Sequence, residues 1–172
     1  MVFFPLVSVE GNIACGKSEA LISLQKIHGY NVTVEPVDMW RTWLGHDWLG
    51  CFMKDKTPFN TVVLQIVVLI SYINPAPSSW FRSHVTERSI LSAVLVFCRS
   101  NLDDRTAKVM HALYERALTS FDPDAVIYIR TPPDTCMDRL NKRNREGEVD
   151  SYNMDYLRSL HTLHENTFPD RK

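Results

Sequence analysis

The most informative stretch of the chain is Gly11-Asn12-Ile13-Ala14-Cys15-Gly16-Lys17-Ser18, a complete G-x-x-x-x-G-K-S motif that directly follows the apolar run 3–10. Such a loop curls its backbone around an anion, and glycine is needed where a side chain would obstruct the curl. In this motif the lysine reaches the β- and γ-phosphates, the serine hydroxyl binds Mg²⁺, and the following helix directs its positive end at the phosphates. The motif therefore predicts a nucleoside triphosphate site between a first strand and a first helix.

The composition fits one domain with a sizeable core, since 45% of the 172 residues are hydrophobic and 23% are charged. The net charge of −1 provides no general attraction to a nucleic acid polymer. The longest apolar stretch, 62–73, is interrupted by Gln65 and Ser71 and is shorter than the roughly 18 residues typical of a membrane span. We therefore expect no nucleic acid partner and no membrane segment.

The N-terminus and the cysteines indicate the compartment. No basic leader precedes the first strand, so we expect no signal peptide. The four cysteines are scattered without C-x-x-C spacing, which is typical of free thiols in a reducing, intracellular compartment. The sequence therefore predicts a cytoplasmic protein.

Strand-like and helix-like segments alternate along the chain, which predicts an α/β fold with a parallel sheet covered by helices on both faces. The strands are expected at 6–10, 31–37, 84–88 and 125–130. Helices are expected at 17–28, 58–73 and 134–145, with a helix pair over 90–120 and a proline-rich connection at 74–79. Gly29 is expected to end the first helix in a left-handed conformation.

Two acidic groups end neighbouring strands. Glu35 lies at the end of the second strand, and Glu87 with Arg88 ends the third, at the edge where open α/β sheets bind ligands. Glu35 is a candidate base for a hydroxyl substrate, Glu87 for holding Mg²⁺, and Arg88 for stabilising a phosphoryl group in transfer. A solvated acid at Glu35 and a surface Glu–Arg pair remain the alternatives from spacing alone.

A cationic patch follows the predicted fourth strand. It contains Arg139, Lys142, Arg143 and Arg145 within seven residues. A solvated helix face would explain it, but on a loop above the phosphate site it would form a lid that excludes water. We expect Arg143 and Arg145 to act in this way.

Taken together, these segments resemble the deoxyribonucleoside kinase family, which includes deoxycytidine, deoxyguanosine and mitochondrial-type thymidine kinases. The resemblance covers nearly the whole chain. Its motifs are Val9-Glu10-Gly11-Asn12-Ile13 with Gly16-Lys17-Ser18, Glu35-Pro36-Val37 with Trp40, Pro58-Phe59, Glu87-Arg88-Ser89-Ile90, Ile127-Tyr128-Ile129-Arg130-Thr131, and Arg143-Asn144-Arg145 followed by Tyr156-Leu157 and Leu160-His161-Thr162-Leu163-His164-Glu165.

The resemblance implies a P-loop kinase fold with strand order 2-3-1-4 and ATP-dependent phosphorylation of the 5′-hydroxyl of a deoxyribonucleoside. It implies Glu35 as the base, with Arg88 and Lys17 as further catalytic groups, and Ser18 and Glu87 on Mg²⁺. It also implies that Arg143 and Arg145 serve as lid arginines and that Glu148 binds the sugar 3′-hydroxyl. The implied residues around the base are Trp40, Phe59, Asn60, Val63, Val67, Ala93 and Phe97.

The small residue Ala93 favours a pyrimidine preference that includes thymidine, because related deoxycytidine kinases carry an acid there. Family resemblance further suggests a homodimer packed through helices, including 58–73. Two positions depart from the family pattern: Asn60 stands where the family has a Gln that pairs with the base, and Met53 falls near the family's sugar-binding Tyr. We also expect a single domain shortened at its C-terminus, with the strand 125–130 as an exposed edge.

Two other functions remain open from the sequence. A nucleoside monophosphate kinase shares the phosphate loop, the acid–Arg pair and the lid, but it needs more cations near the acceptor than Arg41 alone. A nonenzymatic nucleotide-binding protein is the other alternative, and ATP binding without turnover on any nucleoside would favour it.

Overall fold

The computed structural model describes residues 5–73, 84–117, 121–145 and 147–168. It contains the strands β1 (Leu6–Gly11), β2 (Asn31–Thr33), β3 (His84–Glu87) and β4 (Ala125–Ile129). They form one parallel sheet in the order β2-β3-β1-β4. The α/β fold and the strand order predicted from the sequence are therefore confirmed.

The helices pack against the sheet and against one another. They are α1 (Lys17–His28), α2 (Val37–Thr42), α3 (Trp48–Lys54), α4 (Pro58–Ile73), α5 (Ile90–Ser92), α6 (Arg99–Asn101), α7 (Asp104–Ala117), α8 (Pro133–Arg143), α9 (Glu148–Ser151) and α10 (Met154–Thr167). A π-helical segment, Ala93–Cys98, joins α5 to α6 without a break, and a short 3₁₀ turn, Trp43–Gly45, precedes α3.

Strand pairing brings the phosphate loop beside the acidic end of β3. Val9 pairs with Glu87 on one side and with Ile127 on the other. Since all four strands are parallel, their carboxyl ends meet at one edge of the sheet, and the loops that follow them can share a site.

Helices α1 and α4 have the predicted bounds, whereas α8 begins one residue earlier and ends two residues earlier than predicted. Gly29 caps α1 at a φ of 68°. Helix α8 ends at Arg143 because Asn144 turns into the left-handed region, with a φ of 46°. The predicted pair over 90–120 is present as 90–101 and α7, with 118–120 outside the described residues. The predicted connection 74–79 also lies outside them.

Three strands end earlier than predicted: β2 by four residues, and β3 and β4 by one residue each. Strand β2 pairs with β3 only as far as Thr33, and the chain then turns, with the Val37 N–H donating to the Glu35 carbonyl at 2.9 Å. Pro36 precedes α2 and has no N–H to donate to a sheet. Strand β3 ends before Arg88, whose φ of 64° is incompatible with extended backbone.

The main core lies between α4, the π-helical segment and α10, on one face of the sheet. Leu64, Ile90, Val96 and Leu160 are among its buried side chains. This packing fixes the wall of helices that faces the phosphate loop.

Candidate active site

A cavity of about 1410 Å³ opens at the carboxyl edge of the sheet. It is lined by the phosphate loop, the loops after β2 and β3, helices α2, α3 and α4, and the π-helical segment. Arg143, Arg145 and Glu148 also line it. Fifteen of the predicted site residues share this lining: Ile13, Ala14, Cys15, Gly16, Lys17, Ser18, Glu35, Trp40, Glu87, Arg88, Ala93, Phe97, Arg143, Arg145 and Glu148.

The phosphate loop is tightly constrained at its first glycine. Gly11 has a φ of 148°, and a Cβ there would lie 2.7 Å from both the Cys15 Sγ and the Ile129 carbonyl oxygen. A side chain would therefore clash with the loop and with β4. Glycine at this position is therefore required by the shape of the loop, and Gly11 lies outside the cavity lining.

Three polar side chains, one from within the loop and two from later in the chain, hold the phosphate loop in place. Asn12 accepts from the Ile13 N–H at 2.8 Å and donates to the Leu157 carbonyl at 2.9 Å. The Cys15 carbonyl accepts from the Thr131 hydroxyl at 3.0 Å and from the Arg139 guanidinium at 2.7 Å. These bonds leave the loop preorganised, with the N-terminus of α1 facing the cavity.

Lys17 lies inside the loop, and its ammonium group contacts other groups of the protein. Its Nζ donates to the Asn12 carbonyl at 2.9 Å and lies 4.0 Å from Glu87 Oε1. Burial, followed by the charge of Arg88, lowers the pKa of Lys17. A triphosphate in the loop would supply the negative charge that favours the ammonium form.

Ser18 and Glu87 form a paired oxygen site beside the loop. The Ser18 hydroxyl donates to the Glu87 carboxylate at 2.9 Å and 3.0 Å. Mg²⁺ prefers oxygen ligands and usually binds through one or two carboxylates together with substrate phosphates. Among the described residues, no group of three or more His, Cys, Asp or Glu side chains is arranged to hold a metal ion. The Ser18–Glu87 pair therefore fits Mg²⁺ bound jointly with a nucleotide.

Glu35 and Arg88 form an ion pair at the mouth of the cavity. The Arg88 Nε lies 2.7 Å from Glu35 Oε1, and the Glu35 side chain is 20% exposed whereas that of Arg88 is 5% exposed. A carboxylate in this setting can accept a proton from a bound hydroxyl while the guanidinium orients it.

Arg88 is immobilised beyond this pair. Its Nη1 donates to the Gly11 carbonyl at 2.7 Å, and its guanidinium lies 4.6 Å from the centre of the Phe97 ring. Burial alone lowers the pKa of Arg88, but the carboxylates of Glu35 and Glu10 outweigh it, so the pKa is raised and the charge is permanent. The site therefore holds a fixed cation between the phosphate loop and the candidate base.

The two predicted lid arginines converge on one buried acid. Glu148 accepts from Arg143 at 2.6 Å and from Arg145 at 3.3 Å. Both guanidinium groups are partly exposed and line the cavity, whereas Glu148 is buried. The arginines and the acid therefore form one unit at the rim.

The apolar part of the cavity contains only some of the predicted base-binding residues. Trp40, Ala93 and Phe97 line it. Phe59 is 69% exposed, Val63 is half-buried and Val67 is buried, and all three lie outside the lining. Asn60 also lies outside the cavity lining. Its side-chain amide instead donates to the Asp55 carbonyl at 2.9 Å.

Helix rotation explains this difference from the predicted pocket. The bond from Asn60 to the end of α3 fixes the first turn of α4. The face turned to the cavity then carries Leu64, Gln65, Val68 and Tyr72, which is offset from the predicted 60, 63 and 67. Sequence spacing alone does not give the rotation of a helix that is apolar on nearly all sides.

Other cavity or supporting residues were missed from the sequence. The Tyr72 hydroxyl donates to the Glu87 carbonyl at 3.3 Å, and Tyr152 lines the cavity beside Tyr156. Glu10 is fully buried, accepts from Ser89 at 2.6 Å, and has its pKa raised by burial. The sequence feature that could have indicated a role for Glu10 is an acidic residue within an apolar strand. No comparable feature marks Tyr72 or Tyr152.

None of the helices in the described part of the chain is both long and apolar enough to span a bilayer.

Comparison with known proteins identifies the family. Residues 7–170 match the family model described as deoxynucleoside kinase. The chain is 32% identical over 170 residues to human mitochondrial thymidine kinase 2, a match that covers 93% of this chain and 63% of that protein. It is 35% identical over 166 residues to the thymidine kinase of Ictalurid herpesvirus 1, covering 91% of this chain and 71% of that protein.

The fold also matches a solved structure, that of deoxyadenosine kinase from M. mycoides with bound dATP. The TM-score is 0.77 at 21% sequence identity, over 94% of this chain and 82% of that chain. At this identity the likeness establishes the fold. The phosphate loop, the Glu35–Arg88 pair and the rim arginines lie around one cavity. Because the family model also matches residues 7–170, this chain belongs to the deoxynucleoside kinase family.

Proposed function

We propose that this chain transfers the γ-phosphate of ATP to the 5′-hydroxyl of a deoxyribonucleoside, which yields the 5′-monophosphate. The observation that carries the proposal is the Glu35–Arg88 ion pair at 2.7 Å, located between the phosphate loop and an apolar cavity. The names of the two thymidine kinase relatives support the same reaction.

In this proposal, Glu35 accepts the proton of the 5′-hydroxyl as its oxygen attacks the γ-phosphorus. Arg88 orients the carboxylate and stabilises the negative charge on the phosphoryl group. Lys17 binds the β- and γ-phosphates inside the loop. Most of the catalytic effect then comes from positioning and fixed charge, as is general in phosphoryl transfer.

Ser18 and Glu87 would hold Mg²⁺, which when bound neutralises charge on the phosphates. The 2.9 Å contact between the Ser18 hydroxyl and the Glu87 carboxylate supports this role.

Arg143 and Arg145 are proposed to leave Glu148 for the phosphates of ATP. Glu148 would then be free to accept from the sugar 3′-hydroxyl. Their mutual contacts, at 2.6 Å and 3.3 Å, keep the three groups together at the rim of the cavity.

The proposed substrate is a pyrimidine deoxynucleoside, with thymidine accepted. The small side chain of Ala93 in the cavity lining supports this preference because it leaves room beside the base. The proposed protein is a homodimer packed through α4, and its four free thiols agree with a reducing, cytoplasmic setting.

The test measures phosphate transfer from ATP to thymidine, deoxycytidine, deoxyadenosine and deoxyguanosine by the wild type and by Glu35→Gln. We expect turnover on thymidine by the wild type and a kcat lower by about 100- to 10,000-fold in Glu35→Gln, the range typical of a lost general base. Glu115→Gln on α7, with a side chain 63% exposed, is the matched control.

Two results would contradict the proposal. Transfer to thymidylate but not to thymidine would indicate a monophosphate kinase. ATP binding by a folded wild type, with no transfer to any of these acceptors, would indicate a nonenzymatic protein.

A further inference from the structure

Arg88 adopts a backbone conformation that is unusual for a residue with a side chain. Its φ of 64° lies in the left-handed region, where a Cβ crowds the following carbonyl oxygen. A residue other than glycine stays in this region only when its surroundings hold it there. The same residue carries the guanidinium that contacts the Glu35 carboxylate at 2.7 Å. The direction of the guanidinium therefore depends on the contacts that hold the left-handed turn.

Strands β1 and β3 hold the backbone of this turn. The Arg88 N–H donates to the Val9 carbonyl at 2.9 Å, and the Arg88 carbonyl accepts from the Thr86 hydroxyl at 2.8 Å. The side chain is held by β1 as well, since its Nη1 donates to the Gly11 carbonyl at 2.7 Å. Residues 9 and 11 of β1 thus fix Arg88 directly, and the residue between them is Glu10.

Glu10 fixes the residue that follows Arg88. Its Oε1 accepts from the Ser89 hydroxyl at 2.6 Å, and both residues are buried. Ser89 stands at the N-cap position of α5, where a serine side chain ordinarily accepts from a helix N–H. No such capping bond is observed among the residues that the structure describes. The Ser89 hydroxyl therefore binds Glu10 and does not cap the helix.

Glu10 supports the site from behind the cavity. It is fully buried and lies outside the cavity lining. Its second oxygen, Oε2, has no hydrogen-bond partner among the described residues. Burial raises the pKa of Glu10, although the bond from Ser89 and the charge of Arg88 oppose this shift. Because burial disfavours a full charge, we expect the main contribution of Glu10 to be its hydrogen bond with Ser89.

We propose that Glu10 is a positioning residue that, through Ser89, holds Arg88 in the left-handed turn from which its guanidinium reaches both Glu35 and the phosphate loop. The inference rests on the proposed function for the part that Arg88 plays in phosphoryl transfer. A fixed charge that is already in place needs no rearrangement during the reaction. Loosening the turn therefore lowers kcat and leaves the binding of ATP unchanged.

Three variants test the proposal by removing or keeping the bond. Ser89→Ala removes the donor, Glu10→Met removes the acceptor at nearly the same side-chain length, and Glu10→Gln keeps an acceptor oxygen. We expect kcat for thymidine to fall about 10-fold in the first two variants and to stay within about 2-fold of the wild type in Glu10→Gln. The KM for ATP stays unchanged in all three. Glu115→Met on α7, with a side chain 63% exposed, is the matched control.

The double variant Glu10→Met/Ser89→Ala shows whether the acid acts through the serine. The same bond is lost in the double variant and in each single variant, so kcat should fall no further than in the lower of the two. Two falls that multiply would show independent roles and overturn the inference. An equal fall in Glu10→Gln and Glu10→Met would also overturn it, because the charge of Glu10 would then matter and not its bond to Ser89.

A second readout follows Arg88 directly and needs no turnover. The Arg88 Nε–H lies in a buried ion pair, so nitrogen–proton NMR spectra of the wild type should show it exchanging slowly with solvent. We expect this exchange to be about 10-fold faster in Ser89→Ala and Glu10→Met, and unchanged in Glu10→Gln. The Nε–H of Arg130, whose side chain is 72% exposed, is the internal control and should not change. Unchanged exchange of the Arg88 Nε–H in Ser89→Ala would overturn the inference.

The exchange measurement separates failure of the inference from failure of the proposed function. If the wild type transfers no phosphate to any deoxynucleoside, the proposed function fails, and the exchange of the Arg88 Nε–H still decides whether Glu10 and Ser89 hold the turn. If the wild type is active but neither kcat nor this exchange changes in Ser89→Ala, the inference alone fails.

Discussion

Arg88 depends on a histidine that is distant in sequence. The Nδ1 of His164 contacts the Leu160 carbonyl at 2.7 Å, and its Nε2 faces the Arg88 Nη1 at 3.4 Å. Burial, followed by the charge of Arg88, lowers the pKa of His164 to about 3. The ring is therefore neutral, donates from Nδ1 to the Leu160 carbonyl and accepts from the Arg88 Nη1 at Nε2.

This histidine makes stability depend on pH. Between about pH 6.5, the value for a free histidine, and about pH 3, the unfolded chain binds a proton that the folded chain does not. The free energy of unfolding therefore rises with pH in this window, and the contribution is lost as pH falls toward the folded-state pKa. We expect His164→Gln to flatten this slope by up to about 1.4 kcal/mol per pH unit.

Urea denaturation at several pH values in that window measures the slope. His28→Gln, at an exposed position near the end of α1, is the matched control and should keep the wild-type slope. Equal slopes in the wild type and His164→Gln would contradict the assignment of the pH dependence to His164.

At the scale of elements, α9 is held against the junction of α3 and α4. The Lys56 ammonium donates to the Ser151 carbonyl at 2.7 Å and lies 4.2 Å from the centre of the Tyr156 ring. The Ser151 hydroxyl donates to the Met53 carbonyl at 2.8 Å. Because α9 begins with Glu148, these contacts set the position of the acid that binds both rim arginines.

We expect Lys56→Met to loosen α9 without unfolding the chain. A hydrogen bond from a charged group contributes about 1.5–3 kcal/mol, so amide hydrogen exchange over residues 147–152 should accelerate about 10-fold or more, and the KM for nucleoside should rise. Lys54→Met, at an exposed position two residues away, is the control. Unchanged exchange in Lys56→Met would show that Lys56 does not hold α9.

At the scale of the whole molecule, α4 carries an apolar stripe on its outer face. Phe59, Ile66 and Ile73 are spaced seven residues apart and are exposed by 69%, 40% and 40%. Residues at this spacing align along one side of a helix. A second copy packed against this stripe would cover it, which is the basis of the proposed homodimer.

Sedimentation velocity tests the dimer. We expect the wild type to sediment with the mass of two chains, and the double variant Phe59→Glu/Ile66→Glu to sediment with the mass of one, since burying two new carboxylates at an interface is strongly unfavourable. Ile27→Glu, at a site on α1 that is 72% exposed, should remain dimeric. A monomeric wild type at tens of micromolar would overturn the proposal.

Local signals predicted most of the architecture. The phosphate motif located the end of β1 and the start of α1, and Gly29 located the end of α1. The alternation of strands and helices predicted the parallel sheet. These features depend on residues that are close together in the chain, so they can be predicted from the sequence alone. The sequence pattern predicts β2 as far as residue 37, whereas its pairing with β3 ends at Thr33, because a pattern of side chains does not show where a neighbouring strand stops pairing.

The sequence predicts the residues at the ends of the strands but not the face of α4 that lines the cavity. Glu35, Glu87 and Arg88 were found because each directly follows or ends a strand whose carboxyl edge carries the ligand. Asn60 was assigned to the base by resemblance, whereas the structure turns Gln65 to the cavity. Helix α4 is apolar on both its inner and outer faces, so its rotation is set by the contact with α3 and not by its own pattern.

The chain's local chemistry thus determines the phosphate loop, the order of strands and helices, and the acids and cations available at the sheet edge, because each follows from short-range backbone and side-chain preferences. Packing alone selects which face of α4 lines the cavity. It also brings His164 to Arg88 across 76 positions of sequence and gathers Arg143 and Arg145 around Glu148. Those contacts depend on how separate elements rotate and dock, which no single stretch of sequence specifies.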